Sequence, residues 1–220
     1  MSTLSPDQAR RVYDRIGRAQ DWQRFYEDAA TTELVAHAAF DDALTIFELG
    51  CGTGRFAAGL LAGHLPQVAR YLGVDVSPRM LTLASDRLRP WHDRAAVAMA
   101  DGDTPRVPMP ERSVDRFVSN YVFDLLSPET TRDALDEARR VLAPGGLLCV
   151  TGLTPGERGL ARFVSRAWKD VWMRRPALVG GCRPIHLVDA LDPSEWDVRH
   201  RRAVVAWGIA SEAVIASPRP

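Results

Sequence analysis

The 220-residue sequence predicts an α/β fold: a doubly wound, mostly parallel sheet that ends in an antiparallel hairpin strand and is preceded by a helical cap. Three observations predict it. Between residues 44 and 153, apolar runs of strand length alternate with segments of helical period, the pattern of a parallel sheet covered by helices on both faces. The first run passes directly into the glycine-dense turn Gly50-Cys51-Gly52-Thr53-Gly54, and then into a helix. The last segment carries two more strand-like runs, 198–206 and 213–217, placed to pair as a hairpin.

Taken in chain order, residues 6–38 read as two helices. Ser5 caps the first, Pro6 fits its first turn, and Val12, Ile16 and Ala19 share a face. The second runs over about 22–38, with Phe25, Ala29, Leu34 and Ala38 inward. Strands are expected at 44–49, 70–75, 95–100, 114–119 and 146–153, and helices at 54–64, 78–88 and 129–142. Ser77-Pro78 starts a helix and Pro144-Gly145-Gly146 stops one. Three prolines within 104–112 predict a loop there. Residues 154–194 interrupt the alternation with a helical stretch, a loop over 176–184 and a short helical piece at 186–191. One domain therefore comprises a cap (1–43), a core (44–153), an insertion (154–194) and a C-terminal hairpin (195–220).

Composition bounds the function. The chain is 46% hydrophobic and 25% charged, ordinary for a globular domain. Its formal net charge of zero argues against general nucleic-acid binding, which favours a basic surface. Cys51, Cys149 and Cys182 are scattered without a C-x-x-C pair, which points to a reducing compartment and no zinc site. The start of the chain has no basic and apolar leader pattern, and no apolar run approaches the roughly 20 residues of a spanning helix. A cytoplasmic protein is expected.

The glycine turn carries the chemistry. Gly50, Gly52 and Gly54 let the backbone bend sharply and approach a ligand, and the helix that follows offers its first amides to polar groups. A dinucleotide fingerprint needs G-x-G-x-x-G, whereas Arg55 follows Gly54 here, and no Y-x-x-x-K pair is present. A nicotinamide-dependent oxidoreductase remains the less favoured alternative. With Glu48 two residues before Gly50, the turn resembles E-x-G-x-G-x-G, the first motif of the class I S-adenosylmethionine-dependent methyltransferases. Leu72-Gly73-Val74-Asp75, Ala100-Asp101-Gly102-Asp103 and Arg140-Val141-Leu142-Ala143-Pro144-Gly145-Gly146 resemble that family's later motifs, in the right order.

The resemblance implies a Rossmann-like fold, S-adenosyl-L-methionine as cofactor, and transfer of its methyl group to an acceptor. Asp75 is then the acid for the ribose hydroxyls, since a carboxylate accepts two hydrogen bonds from a vicinal diol. Asp101 takes the adenine amino group rather than a metal, with Asp103 as competitor. Glu48 helps hold the methionine amino group, or else serves as a structural acceptor for the turn amides. Gly50, Cys51, Gly52, Val76, Met80, Gly102 and Asn120 complete the expected cofactor site.

For the acceptor, Tyr13, Tyr26, Tyr121, Trp168 and His186 are the candidates. The sulfonium of the cofactor is a cation that an aromatic face stabilises, although aromatics at helical spacing are commonly core. His186 has the chemistry of a proton acceptor and no visible partner. Residues 119–124 are not the N-P-P-Y of amino-methylating DNA enzymes, so an adenine or cytosine target is disfavoured; the apolar stripe of the insertion points instead to a small organic acceptor with an apolar body. In 158–175, Phe163, Val164, Ala167, Trp168 and Val171 form a wide apolar stripe beside six basic residues. The expectation is a helix that roofs the acceptor pocket; the competing account lays it on an anionic membrane, with a lipid or quinone acceptor. Methyl transfer needs no metal and no covalent nucleophile, and no ligand cluster is expected. A methyltransferase-fold protein that binds cofactor without turnover also stays open.

Overall fold

The computed structural model describes residues 11, 14, 22–100, 106–175 and 179–219. The expected positions Tyr13, Asp101, Gly102 and Asp103 lie outside them, as does most of the expected first helix.

Strands β1 (Thr45–Leu49), β2 (Arg70–Asp75), β3 (Ala95–Met99), β4 (Val114–Asn120), β5 (Leu142–Leu153), β6 (Trp196–Ala206) and β7 (Ile209–Pro218) form one sheet in the order β3-β2-β1-β4-β5-β7-β6. The first five strands are parallel; β7 runs antiparallel to β5, and β6 antiparallel to β7. The order reverses between β1 and β4, and ligands of such sheets bind at the carboxyl ends of the strands flanking that reversal. The glycine turn leaves β1 at this point.

The helices are α1 (Arg24–His37), α2 (Arg55–Gly63), α3 (Pro78–Leu88), α4 (Pro128–Val141) and α5 (Gly159–Arg174). Ser77 and Ser127 cap α3 and α4, each accepting an amide from three residues on, and a proline follows each cap. Side-chain alternation along each strand feeds two cores. Phe47, Phe117, Leu148 and Val214 pack with Ala134, Leu135 and Ala138 of α4 on one face. Ile46, Val118, Cys149 and Ile215 pack with Leu34 and Ala38 of the α1 end and Leu60 and Leu61 of α2 on the other.

Three expectations need correction. Leu34 on α1 and Ala38 just after it are buried as expected, but in the first half of the helix the inward residues are Tyr26 and Ala30 rather than Phe25, which is 51% exposed, and Ala29. The one-residue shift is confined to that first half, where Tyr26 finds an aromatic partner in Tyr121, at 5.8 Å edge-on. Pro144-Gly145-Gly146 is not a turn ahead of the strand but a bulge within β5: Val114 pairs with Leu142, and the next pair is Arg116 with Leu147. Gly145 is left-handed there, and a Cβ on Gly146 would strike the Val114 carbonyl at 2.9 Å. The hairpin is also longer than expected, closing through Trp207-Gly208.

Candidate active site

Gly50, Gly52 and Gly54 all have positive φ, so the turn suits residues without a Cβ. The reasons for the three differ. A Cβ on Gly50 would meet Val122 Cγ2 at 2.3 Å, and one on Gly54 would meet Ala84 at 3.1 Å. A Cβ on Gly52 would meet nothing within 4 Å, so the space above that residue is open to a ligand. The Gly50 and Cys51 amides both donate to the Val74 carbonyl, which ties the turn to the end of β2.

Asp75 faces this opening. Its Oδ2 accepts from the Gly52 amide and its Oδ1 from the Ser77 amide, both at 2.9 Å. Each oxygen keeps a lone pair for a further donor. Burial pushes its pKa up, against the lowering effect of those amides. Val76 is half-buried beside it, and Met80, on the first turn of α3, is buried. The Ser77 hydroxyl donates to Asp14 at 2.5 Å, so Asp14 touches the same corner.

Glu48 is 1% exposed and shared between two donors: the Tyr71 hydroxyl at 2.5 Å and the Asn120 amide at 3.2 Å. Thr151 in turn donates to the Asn120 carbonyl at 2.8 Å. Gly73 makes this network fit, because a Cβ there would lie 2.5 Å from the Tyr71 hydroxyl. Desolvation raises the Glu48 carboxyl to about 7, with both hydrogen bonds opposing. The acid thus braces β1 against β2 and β4 under the turn, and among the described residues it accepts no hydrogen bond from the turn amides. Cys51, beside it, is buried, and burial pushes its thiol up.

A second cluster lies beyond the turn. Tyr26, Tyr121, Leu153 and Cys182 are buried together, with Leu125 and Trp168 against them. Tyr121 follows β4 with φ at +55°, an unusual backbone for a bulky residue. Its hydroxyl lies beside Ser211, yet neither oxygen has a hydrogen-bond partner among the described residues. Asp124 is fully buried: Oδ2 accepts from the Leu153 amide at 3.3 Å, and Oδ1 has no partner among the described residues. Desolvation pushes its carboxyl up to about 7, opposed by the Leu153 amide and by nearby Arg183. Glu27 is also raised to about 7 by burial, although Arg55 reaches it at 3.1 Å and Asp28 at 2.5 Å. Arg55, the residue that breaks the dinucleotide fingerprint, therefore fastens α1 to the start of α2.

The insertion helix corrects another expectation. Ala161, Trp168 and Trp172 face the protein, whereas Phe163 is 71% exposed and Ala167 and Val171 are also exposed. The sheet and hairpin take up only one narrow row of the stripe. Trp168 and Trp172 donate to the Cys182 and Gly181 carbonyls, each at 2.9 Å, which pins the following loop over the tyrosine cluster. His186 lies apart from that cluster, with Thr154 at 3.3 Å and Arg201 at 3.5 Å. The site thus brings together Gly50, Cys51, Gly52, Asp75, Glu48 and Asn120, and separately Tyr26, Tyr121 and Trp168. Asp124, Glu27 and Tyr71 were missed by sequence reasoning; an acid or phenol in an otherwise apolar stretch was the only signal for them.

Comparison with known proteins bears on the turn and the sheet around it. Residues 46–146 match the family described as a methyltransferase domain. Demethylmenaquinone methyltransferase of Deinococcus radiodurans is 32% identical over 76% of this chain and 64% of its own length. Malonyl-[acyl-carrier protein] O-methyltransferase of a Marinomonas species is 29% identical over 71% of this chain and 54% of its own. The chain thus spans between half and two thirds of the length of such relatives. In fold it is similar to the [4+2]-cyclase SpnF, with a TM-score of 0.71 at 16% identity, covering 98% of this chain and 97% of that one.

Proposed function

Since the chain belongs to the class I S-adenosylmethionine-dependent methyltransferases, we propose that it transfers the methyl group of S-adenosyl-L-methionine to a small organic acceptor with an apolar body. The observation that carries this is the open turn at Gly52 facing the Asp75 carboxylate across 2.9 Å, a cradle that a Cβ would narrow. The residues fit the cofactor. Asp75 would hold the ribose hydroxyls, the turn amides the methionine end, and Met80 and Val76 the adenine side. Glu48 acts through Asn120 and the strand ends, as a positioning residue.

When bound, S-adenosylmethionine supplies an electrophilic methyl on a sulfonium that departs neutral. This chain contributes alignment and exclusion of water. Tyr26, Tyr121 and Trp168 would seat the acceptor, because they are the aromatic surface next to the turn. An acceptor that arrives protonated needs a base. Asp124 is the group suited to it, with an Oδ1 that has no partner among the described residues and a carboxyl pushed up to about 7. The zero net charge supports a small acceptor over a polynucleotide.

The test is calorimetry with S-adenosylmethionine and with NAD, paired with release of S-adenosylhomocysteine across a panel of small hydroxy, amino and carboxylic acceptors. Binding of NAD with no response to S-adenosylmethionine would overturn the proposal. Tight cofactor binding with no turnover on any acceptor would instead favour a cofactor-binding protein without catalysis.

A further inference from the structure

The outer face of α5 and the tip of the β6–β7 hairpin meet. A Cβ on Gly208, in the hairpin turn, would lie 3.1 Å from Leu160 and 3.3 Å from Val164 of α5. Around that junction the protein exposes large apolar side chains: Leu160 at 66%, Phe163 at 71% and Trp207 at 81%. Trp207 is the most telling. It occupies the first position of a two-residue turn with φ at +55°, followed by Gly208 at +80°. Such turns favour Asn, Asp or Gly, and a bulky side chain there is strained. An exposed tryptophan kept at that cost has no packing role in the fold.

The charge around this apolar patch is predominantly positive. Residues 157–175 hold Arg158, Arg162, Arg166, Lys169, Arg174 and Arg175 against Glu157 and Asp170. Arg158, Arg162, Arg166 and Lys169 are exposed, and none forms an ion pair with a described residue. At helical spacing, Arg162, Arg166 and Lys169 form a basic row on the side of the helix beyond Phe163, with Asp170 lying between that row and the apolar side chains. The whole protein is neutral, so this face is a local concentration of positive charge.

We propose that the outer face of α5, together with Trp207, is a docking surface for an anionic membrane. Apolar side chains enter the headgroup boundary while the flanking arginines and lysine meet lipid phosphates, as an interfacial amphipathic helix does. A second copy of the chain is the other natural occupant of an apolar face. A two-fold interface would set the same patch against itself, cation against cation, which disfavours it. The proposal stands independently of the acceptor.

The experiment is co-sedimentation of the full chain with vesicles of phosphatidylcholine alone and vesicles that also carry phosphatidylglycerol, with tryptophan emission followed in parallel. The expected result is binding to the phosphatidylglycerol vesicles with a blue shift, weakened about tenfold or more by high salt. Phe163→Glu and, separately, Arg162→Glu with Arg166→Glu should each lower that binding about tenfold or more, while calorimetric S-adenosylmethionine affinity and the thermal melt stay unchanged. Trp207→Gly, which relieves the turn, should weaken vesicle binding while raising stability. The proposal is overturned if the wild type does not bind anionic vesicles in low salt, or if it binds and these variants bind equally well. It is also overturned if the chain dimerises in light scattering through Phe163 and shows no vesicle binding.

Discussion

Asp75 carries two backbone amides on its carboxylate and still has lone pairs turned to the open space above Gly52. Asp75→Ala should weaken S-adenosylmethionine binding by roughly 1.5–3 kcal/mol, the scale for losing hydrogen bonds to a charged group. Calorimetry measures it directly, and unchanged affinity would remove Asp75 from the cofactor site. Asp124 makes a different demand. As the proton acceptor, Asp124→Asn should lower kcat about 10²-fold or more while leaving cofactor affinity intact. The wild-type rate should rise with pH to a plateau above about 7, because the carboxyl must be ionised to accept a proton. A variant with full kcat, or an unaltered pH profile, shows that Asp124 is structural. These residues were unequally legible. Asp75 and Glu48 stand at fixed spacing from a glycine turn, so local sequence marks them. Asp124 owes its burial to Leu153 at the end of β5 and to Arg183 in the insertion. No spacing along the chain records a meeting of three distant segments.

The glycine turn and α5 show what elements add. In the turn, Gly50→Ala combines a left-handed backbone, at roughly 1–2 kcal/mol, with a contact of 2.3 Å on Val122. The substitution should destabilise the protein by about 2–5 kcal/mol, the overpacking part adding roughly 1–3 kcal/mol. Val122→Ala in the same chain should restore only the overpacking part; a denaturant titration of the wild type, the single and the double variant separates the two. If Val122→Ala restores nothing, the turn moves to absorb the side chain. For α5, Trp168→Ala should raise the acceptor KM several-fold with cofactor affinity unchanged, since the indole holds the Cys182 carbonyl over the tyrosine cluster. Phe163→Ala, on the outer face, should leave KM alone, and a raised KM there would restore the roof expected from the stripe. Periodicity revealed that helix within a residue or two of its ends, yet could not choose its buried row. The stripe is wider than one contact face, and the choice was made by Gly181 and Cys182, whose carbonyls capture the two tryptophans. Likewise the strand alternation predicted β5, while the bulge at Gly145 required knowing that Val114 lies across from Gly146.

Across the whole molecule, three carboxyls from three elements share one fate. Glu27 of α1, Glu48 of β1 and Asp124 after β4 are all buried and all pushed up to about 7 from ordinary values near 4. They sit along the carboxyl edge of the sheet, where the fold concentrates its polar groups beneath the proposed cofactor. In the folded chain these groups keep their protons between about pH 4.5 and pH 7, while the unfolded chain has released them. The folded state therefore binds more protons in that window, and stability falls as pH rises through it, flattening above about 7. The cofactor-free protein should be more stable near pH 5.5 than near pH 8, by a net amount on the order of 1–3 kcal/mol once relaxation around the buried acids is allowed for. Urea titrations across that range measure the slope. Glu48→Gln and Asp124→Asn replace a titrating acid by a neutral amide of the same shape, so each should flatten the profile and raise stability near pH 8 relative to the wild type. Arg55 counters Glu27 with an ion pair, so Arg55→Ala should steepen the fall instead. A profile that rises through this window in the wild type and keeps its slope in both amide variants would mean that the three acids are ionised in the folded protein, and that the edge of the sheet is better solvated than its burial implies.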